Sequence, residues 1–60
     1  MFKVGDPLFG GKLVIAEISN NYRKFVLTTP IGGDATGPMT ITFDSNQTEA
    51  DINALIQSLA

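Results

Sequence analysis

The residues best placed for chemistry stand near the start of the chain, in the run Gly5-Asp6-Pro7-Leu8-Phe9-Gly10-Gly11-Lys12. The spacing of its glycines and lysine approaches that of a phosphate-binding loop, Gly-x-x-x-x-Gly-Lys-Ser/Thr. Gly11 intervenes before Lys12, however, and Leu13 stands where the magnesium-binding hydroxyl is required. A strand-like run follows, whereas phosphate binding requires the N-terminus of a helix at this point. We therefore predict a turn that feeds a strand, and no nucleotide site.

A second candidate is the run of oxygen-bearing side chains from Asp44 to Glu49, whose spacing approaches that of a calcium loop. The EF-hand loop needs a glycine at its sixth position and a bidentate glutamate at its twelfth. This chain has Glu49 and Leu55 at those positions. We predict that the segment caps a helix and binds no metal.

Catalytic residues are hard to assemble from this composition. The chain has no histidine and no cysteine, so the most frequent neutral-pH acid–base group and most zinc ligands are missing. Asp34 and Thr36 share a glycine-rich loop, but no set of nucleophile, base and orienting group emerges. A single thin core also leaves little room for a ligand pocket, whose volume starts at about 300 Å³. We predict no enzyme activity and no catalytic, cofactor-binding or metal-binding residue.

Charge and hydropathy restrict the partners. The net charge is −2, and charged residues are 17% of the chain, below the average of about 25%. Such a balance argues against nucleic acid as the main partner and favours a surface that meets other protein. The N-terminal residues lack the pattern of a signal peptide, and no apolar run approaches the ~20 residues of a membrane span. We expect no membrane association and a cytoplasmic location, or assembly there into a larger particle.

The middle of the chain predicts a β-hairpin. Residues 12–18 are rich in branched apolar side chains, Asn20 and Asn21 suit a tight turn, and residues 22–29 form a second strand before Pro30. A two-residue turn at Asn20-Asn21 would place Glu17 opposite Lys24 as a favourable pair.

A further strand and a helix complete the prediction. After the glycine-rich segment 31–38, residues 39–43 alternate between apolar side chains and threonines, which is typical of an edge strand with one wet face. An apolar stripe then predicts a C-terminal helix, at Ile52, Leu55, Ile56 and Leu59. Thr48 with Asp51, or Asn46 with Glu49, would cap it.

We predict one α+β domain over residues 1–60, a three- to four-stranded antiparallel meander with this helix packed on one face. The fourth strand would be Phe2–Val4.

The predicted hairpin is apolar at consecutive positions, which indicates burial on both faces. One helix covers only one face. The other would be closed by barrel curvature, by a second copy of the chain, or by folding back of Phe2, Val4, Leu8 and Phe9. We favour partial closure by a second copy.

The first half of the chain also resembles a known family. The opening Met1–Asp6, the glycine turn, the Val-Ile-x-x-Ile strand and Phe25-Val26-Leu27 are similar to the start of SH3-like small barrels. Among these, they most resemble the polymerase-binding domain of CarD-type transcription regulators. Residues 31–60 depart from that pattern. The resemblance implies a barrel-like regulator that binds RNA polymerase or nucleic acid, with contacts from Lys12, Tyr22, Arg23 and Lys24.

The sequence as a whole favours a non-enzymatic protein-interaction module that self-associates and serves as an accessory or assembly component, for example of a virus particle. An inhibitor of a larger enzyme would share the same features. The expected interface residues are Phe9 and the predicted edge strand, Met39, Thr40, Ile41, Thr42 and Phe43.

Overall fold

The structure, a computed structural model, describes residues 1–30 and 38–60. The glycine-rich segment 31–37, predicted as a loop, lies outside the described residues. Five elements follow in order: β1 (Pro7–Leu8), β2 (Leu13–Ser19), β3 (Lys24–Thr28), β4 (Met39–Thr42) and α1 (Glu49–Gln57). The strands form one antiparallel sheet in the order β1-β2-β3-β4, a meander, and α1 packs on one face. The predicted α+β fold is confirmed.

The first strand differs from the prediction, because it is Pro7–Leu8 rather than Phe2–Val4. Asp6 N–H donates to the Lys3 carbonyl at 3.1 Å, and Gly5 has a φ of 99°, so the chain turns over residues 3–6. It reaches β2 only after residues 2–4, where Gly5 N–H donates to the Ile15 carbonyl at 2.8 Å. A positive φ of this size favours glycine. Phe2 instead packs against the core from one end.

The run from Gly5 to Lys12 forms turns on either side of β1, as predicted. Gly10 and Gly11 have φ values of 65° and 86°, and Lys12 N–H donates to the Phe9 carbonyl at 3.2 Å. The segment then enters β2 directly.

The hairpin between β2 and β3 has a four-residue loop, so the predicted two-residue turn is wrong. Ser19 pairs with Lys24, and Glu17 pairs with Val26 rather than with Lys24. Asn20 and Asn21 adopt the expected positive φ, but Tyr22 does so as well, at 72°. Its ring enters the core, which draws the residue out of the strand.

A β-bulge at Ala16 decides which residues of β2 face the helix. Ile15 pairs with Leu27, but the next paired residue is Glu17, opposite Val26. The extra residue places Ile15 and Ile18 on the same face, although they are three positions apart. Without the bulge their side chains would point to opposite faces.

The core lies between this face and α1. Its buried members have relative exposures of 8% or less, and they are Leu8, Ile15, Tyr22, Phe25, Leu27, Ile52 and Ile56. The expectation of two heavily apolar faces is wrong, because the register of the described strands puts Pro7, Val14 and Val26 on the outer face among threonine, serine and charged side chains. Leu8 and Phe2, expected to close that face, pack with the core on the helix side instead, while Val4 is 59% exposed.

Helix α1 begins with the predicted capping box. Asp51 N–H donates to Thr48 Oγ1 at 3.1 Å, and Thr48 N–H donates to a carboxylate oxygen of Asp51. The alternative cap at Asn46 is therefore not used. The buried stripe is narrower than predicted, because Leu55 is 48% exposed. No helix within residues 1–30 and 38–60 has the length and apolar character needed to cross a bilayer.

Candidate interaction surface at the β4 edge

Strand β4 is the outermost strand of the sheet on one side. It pairs with β3 alone among the described residues, with Thr42 opposite Lys24, Ile41 opposite Phe25, Thr40 opposite Val26 and Met39 opposite Leu27. Within residues 1–30 and 38–60 its other side therefore offers an unpaired row of backbone groups, at which a further strand can add.

The register shows which residues point their backbone groups outward. Phe43 N–H donates to the Arg23 carbonyl at 2.8 Å, which makes Arg23 and Phe43 a hydrogen-bonded pair. Hydrogen-bonded and non-hydrogen-bonded pairs alternate along an antiparallel ladder. Ile41 and Met39 therefore bond to β3, whereas Thr40 and Thr42 direct their N–H and C=O groups away from the sheet.

The side chains of this edge divide between the two faces. Ile41 and Phe43 pack partly against the core on the helix side, where the Phe43 and Phe25 rings meet edge to face at 5.9 Å. Met39 lies in the same row but is 46% exposed. Thr40 and Thr42 lie on the outer face, and both are exposed.

The edge carries little protection against pairing with another strand. Proteins usually guard such edges with lysine, proline or an inward-pointing charge. Residues 38–43 include no charged side chain, and Pro38 precedes the strand rather than interrupting it. Of the expected interface residues, the structure thus brings Met39 to Phe43 together along one exposed edge.

Phe9, the remaining expected interface residue, lies elsewhere. It occupies the turn after β1 with a φ of 53°, and its N–H donates to the Leu59 carbonyl at 2.7 Å. Three strand spacings separate β1 from β4, which is roughly 14 Å. Phe9 therefore lies at the opposite edge of the sheet and is no part of the β4 surface. Its side chain is 38% exposed.

The four residues of the expected nucleic-acid contact are not gathered into one surface. Lys12 precedes β2, while Arg23 and Lys24 lie at its far end, roughly 20 Å away at the usual rise per residue. Tyr22 is only 8% exposed, and so its ring is not available to stack on a base. Arg23 donates to the backbone carbonyls of Asn21 and Gln47, an attachment of the hairpin loop to the segment before α1.

A shallow cleft of about 430 Å³ adjoins one end of β4. Its lining is mostly polar and comprises Asn20, Asn21, Arg23, Thr42, Phe43 and Ser45. Sequence reasoning missed Asn20, Asn21 and Ser45, because their proximity depends on the four-residue loop and on the turn after β4. A smaller cleft of about 290 Å³ lies between the N-terminal residues and α1.

Metal-binding clusters do not occur in the described part of the chain: no three acidic side chains there converge to hold an ion. Asp44 and Gln47 instead form a turn, in which Gln47 N–H donates to the Asp44 carbonyl at 3.1 Å. Asp44 N–H in turn donates to Gln47 Oε1 at 2.9 Å. The segment with calcium-like spacing is thus built as a turn leading into the helix cap.

Comparison with known proteins adds no relative to this picture. No protein-family model matches the chain, and neither a curated protein nor a solved structure matches it. The candidate site therefore rests on the geometry of the β4 edge.

Proposed function

We propose that this protein is a small non-enzymatic interaction module, an accessory or assembly component that self-associates through the open edge of β4. The observation that carries the proposal is the uncharged edge from Met39 to Phe43, with the backbone groups of Thr40 and Thr42 pointing outward. Strand addition to such an edge is a recurrent mode of protein recognition, in which main-chain hydrogen bonds supply affinity.

The small size of the domain supports the same proposal. A chain of 60 residues buries only about 60% of the surface that its unfolded form exposes, and oligomerisation is a common remedy. Disulfides are excluded by the composition. Pairing at β4 would cover Met39, which is 46% exposed, and would bring more apolar surface out of water.

The test is the mass in solution of a Thr40→Lys/Thr42→Lys variant, measured by light scattering over a concentration series. Two lysines on the edge introduce like charges at the contact, and we expect a monomer where the parent chain associates. Thr28→Lys is the matched control, because Thr28 lies on the same outer face of the sheet but within β3. A parent chain that stays monomeric, or a double variant that associates like the parent, would refute edge pairing.

The alternative function, a regulator that binds RNA polymerase or nucleic acid, has less support. The sheet is open in the described residues, with β1 and β4 as its two edges, whereas the family resemblance implies a barrel. Arg23 and Lys24 are adjacent, but the other two expected contact residues lie apart from them or are buried. Binding to single-stranded RNA or DNA that weakens steeply with salt would favour this alternative.

A further inference from the structure

We propose that the partner at the β4 edge is a second copy of this chain, whose β4 runs antiparallel with Ile41 directly opposite the partner's Ile41. A two-fold axis perpendicular to the sheet would pass between these two residues. The proposal rests on the proposed function and adds the identity of the partner and the register of the contact.

The register follows from which backbone groups are free. Only Thr40 and Thr42 within β4 point outward, so a hydrogen-bonded pair across the new interface must join residues of this set. Pairing Thr40 with the partner's Thr42, and Thr42 with the partner's Thr40, gives the backbone N–H and C=O groups of both residues a hydrogen-bond partner in both copies. Each such pair exchanges two N–H···O bonds.

Registers shifted by one pair leave more backbone N–H and C=O groups of β4 without a hydrogen bond. Placing Thr40 opposite the partner's Thr40 sets Thr42 against the partner's Pro38, which has no N–H to donate. Placing Thr42 opposite the partner's Thr42 sets Thr40 against the partner's Asp44, whose N–H already donates to Gln47 Oε1 at 2.9 Å. The central register is therefore the only one of the three that uses every free group of β4.

The side chains are complementary under the same operation. Ile41 would contact the partner's Ile41 on the helix side, where non-hydrogen-bonded pairs bring side chains closest. Met39 would face the partner's Phe43, a favourable contact of sulfur with an aromatic ring. This contact would cover the Met39 side chain, which is 46% exposed in the single chain.

Charge also favours a second copy at this edge. A symmetric contact doubles every charge it contains, and like charges directly opposite destabilise a strand pair. Residues 38–43 carry no charge at all, so two copies approach here without repulsion between side chains of the strand. The acidic residue nearest the strand, Asp44, lies just beyond its end and opposite the partner's Pro38.

Cysteine cross-linking tests the register in a chain that has no cysteine of its own. Disulfides form when two Cα atoms lie about 4.4–6.8 Å apart. In the proposed register Thr40 and the partner's Thr42 are about 5.5 Å apart, whereas the two Thr40 residues are displaced by two positions, roughly 8 Å. We expect oxidation of mixed Thr40→Cys and Thr42→Cys proteins to give the heterodimer, and neither variant alone to cross-link. Both substitutions are at exposed positions, so we expect the fold to be preserved.

Ile41→Cys alone should cross-link as a homodimer, since its two copies face each other at about 4.5 Å. Met39→Cys is its control and should not. Homodimers of Thr40→Cys alone or of Thr42→Cys alone would show a shifted or parallel register and overturn this inference, while edge pairing at β4 would stand. Light scattering separates the two failures, because a parent chain that is monomeric at every concentration refutes the proposed function as well.

Discussion

The Tyr22 hydroxyl donates to Asn53 Oδ1 at 2.5 Å and accepts the Phe2 N–H at 2.7 Å. One oxygen atom thereby joins the N-terminal segment, the hairpin loop and helix α1, which are distant in sequence. The Tyr22 ring meets Phe25 edge to face at 4.9 Å, so the residue also contributes to the core. Its left-handed backbone, with a φ of 72°, is the conformation that directs the ring inward from the loop.

We expect Tyr22→Phe to lower the free energy of unfolding by about 1–2 kcal/mol, because the ring packing is kept while two hydrogen bonds lose their partner. Urea unfolding followed by circular dichroism measures this difference. Asn53→Ala serves as the comparison, because it removes the acceptor of the Tyr22 hydroxyl and leaves the bond from Phe2 N–H in place. Since the residues interact directly, the double variant should lose less than the sum of the single losses. Strictly additive losses would mean that the hydroxyl contributes nothing through Asn53.

A capping prediction concerns the start of α1. Thr48→Ala removes the acceptor of the Asp51 N–H and should lower the free energy of unfolding by about 1 kcal/mol. For a domain of this size that corresponds to a fall in melting temperature of about 4–8 °C. Thr48→Ser keeps the hydroxyl and should change the melting temperature little. Equal losses for the two variants would show that the cap is not what stabilises the helix end.

The pH dependence of stability has an identifiable source at the N-terminal turn. The Lys3 backbone N–H donates to Asp6 Oδ2 at 3.0 Å, and Lys3 Nζ contacts Asp6 Oδ1 at 3.0 Å. The backbone hydrogen bond, and then the lysine side chain, lower the pKa of the Asp6 carboxyl below its ordinary value of 3.8. A carboxyl whose pKa is depressed on folding stabilises the folded state above its ordinary pKa, and this stabilisation disappears as pH falls through the lowered value.

We therefore expect Asp6→Asn to flatten the fall in stability below pH 3.8, measured by thermal unfolding across an acid pH series. Lys3→Met is the graded control, because it removes the ammonium group but keeps the backbone N–H. It should reduce the dependence without abolishing it, since the backbone bond is the larger cause. An Asp6→Asn variant with the same acid profile as the parent would contradict this account.

Much of the fold could be predicted from short-range patterns. Alternation from Met39 to Phe43 indicated the edge strand, and Thr48 with Asp51 indicated the helix start, because both signals lie within a few neighbouring residues. The candidate edge was predicted for the same reason. Which of its backbone groups are free could not be predicted, since that depends on the pairing of Phe43 with Arg23 across the sheet.

The errors arose where long-range contacts decide local structure. The sequence placed Tyr22 in a strand and Glu17 opposite Lys24, but burial of the tyrosine ring lengthens the loop and changes the pairing. The continuous apolar run in β2 suggested two buried faces, but Val14 on the outer face is only half-buried, and the bulge brings Ile18 onto the helix side with Ile15. Nothing in residues 13–18 marks Ala16 as the bulged position, because its small side chain is equally acceptable in a regular strand.

Deletion of Ala16 gives the strongest test of how the sheet is built. Removing the extra residue leaves Ile15 and Ile18 two positions apart, so a regular strand keeps both side chains on the helix side and Glu17 on the outer face. The pairs Ile15 with Leu27 and Ile18 with Phe25 can then form without a bulge. We expect the deletion variant to stay folded and to lose about 1 kcal/mol or less of its free energy of unfolding, measured by urea unfolding. Ala16→Ser retains the bulge and should change the free energy of unfolding by no more than about 0.5 kcal/mol. A deletion variant that unfolds would show that the bulge itself, and not only the spacing of Ile15 and Ile18, is needed to build the sheet.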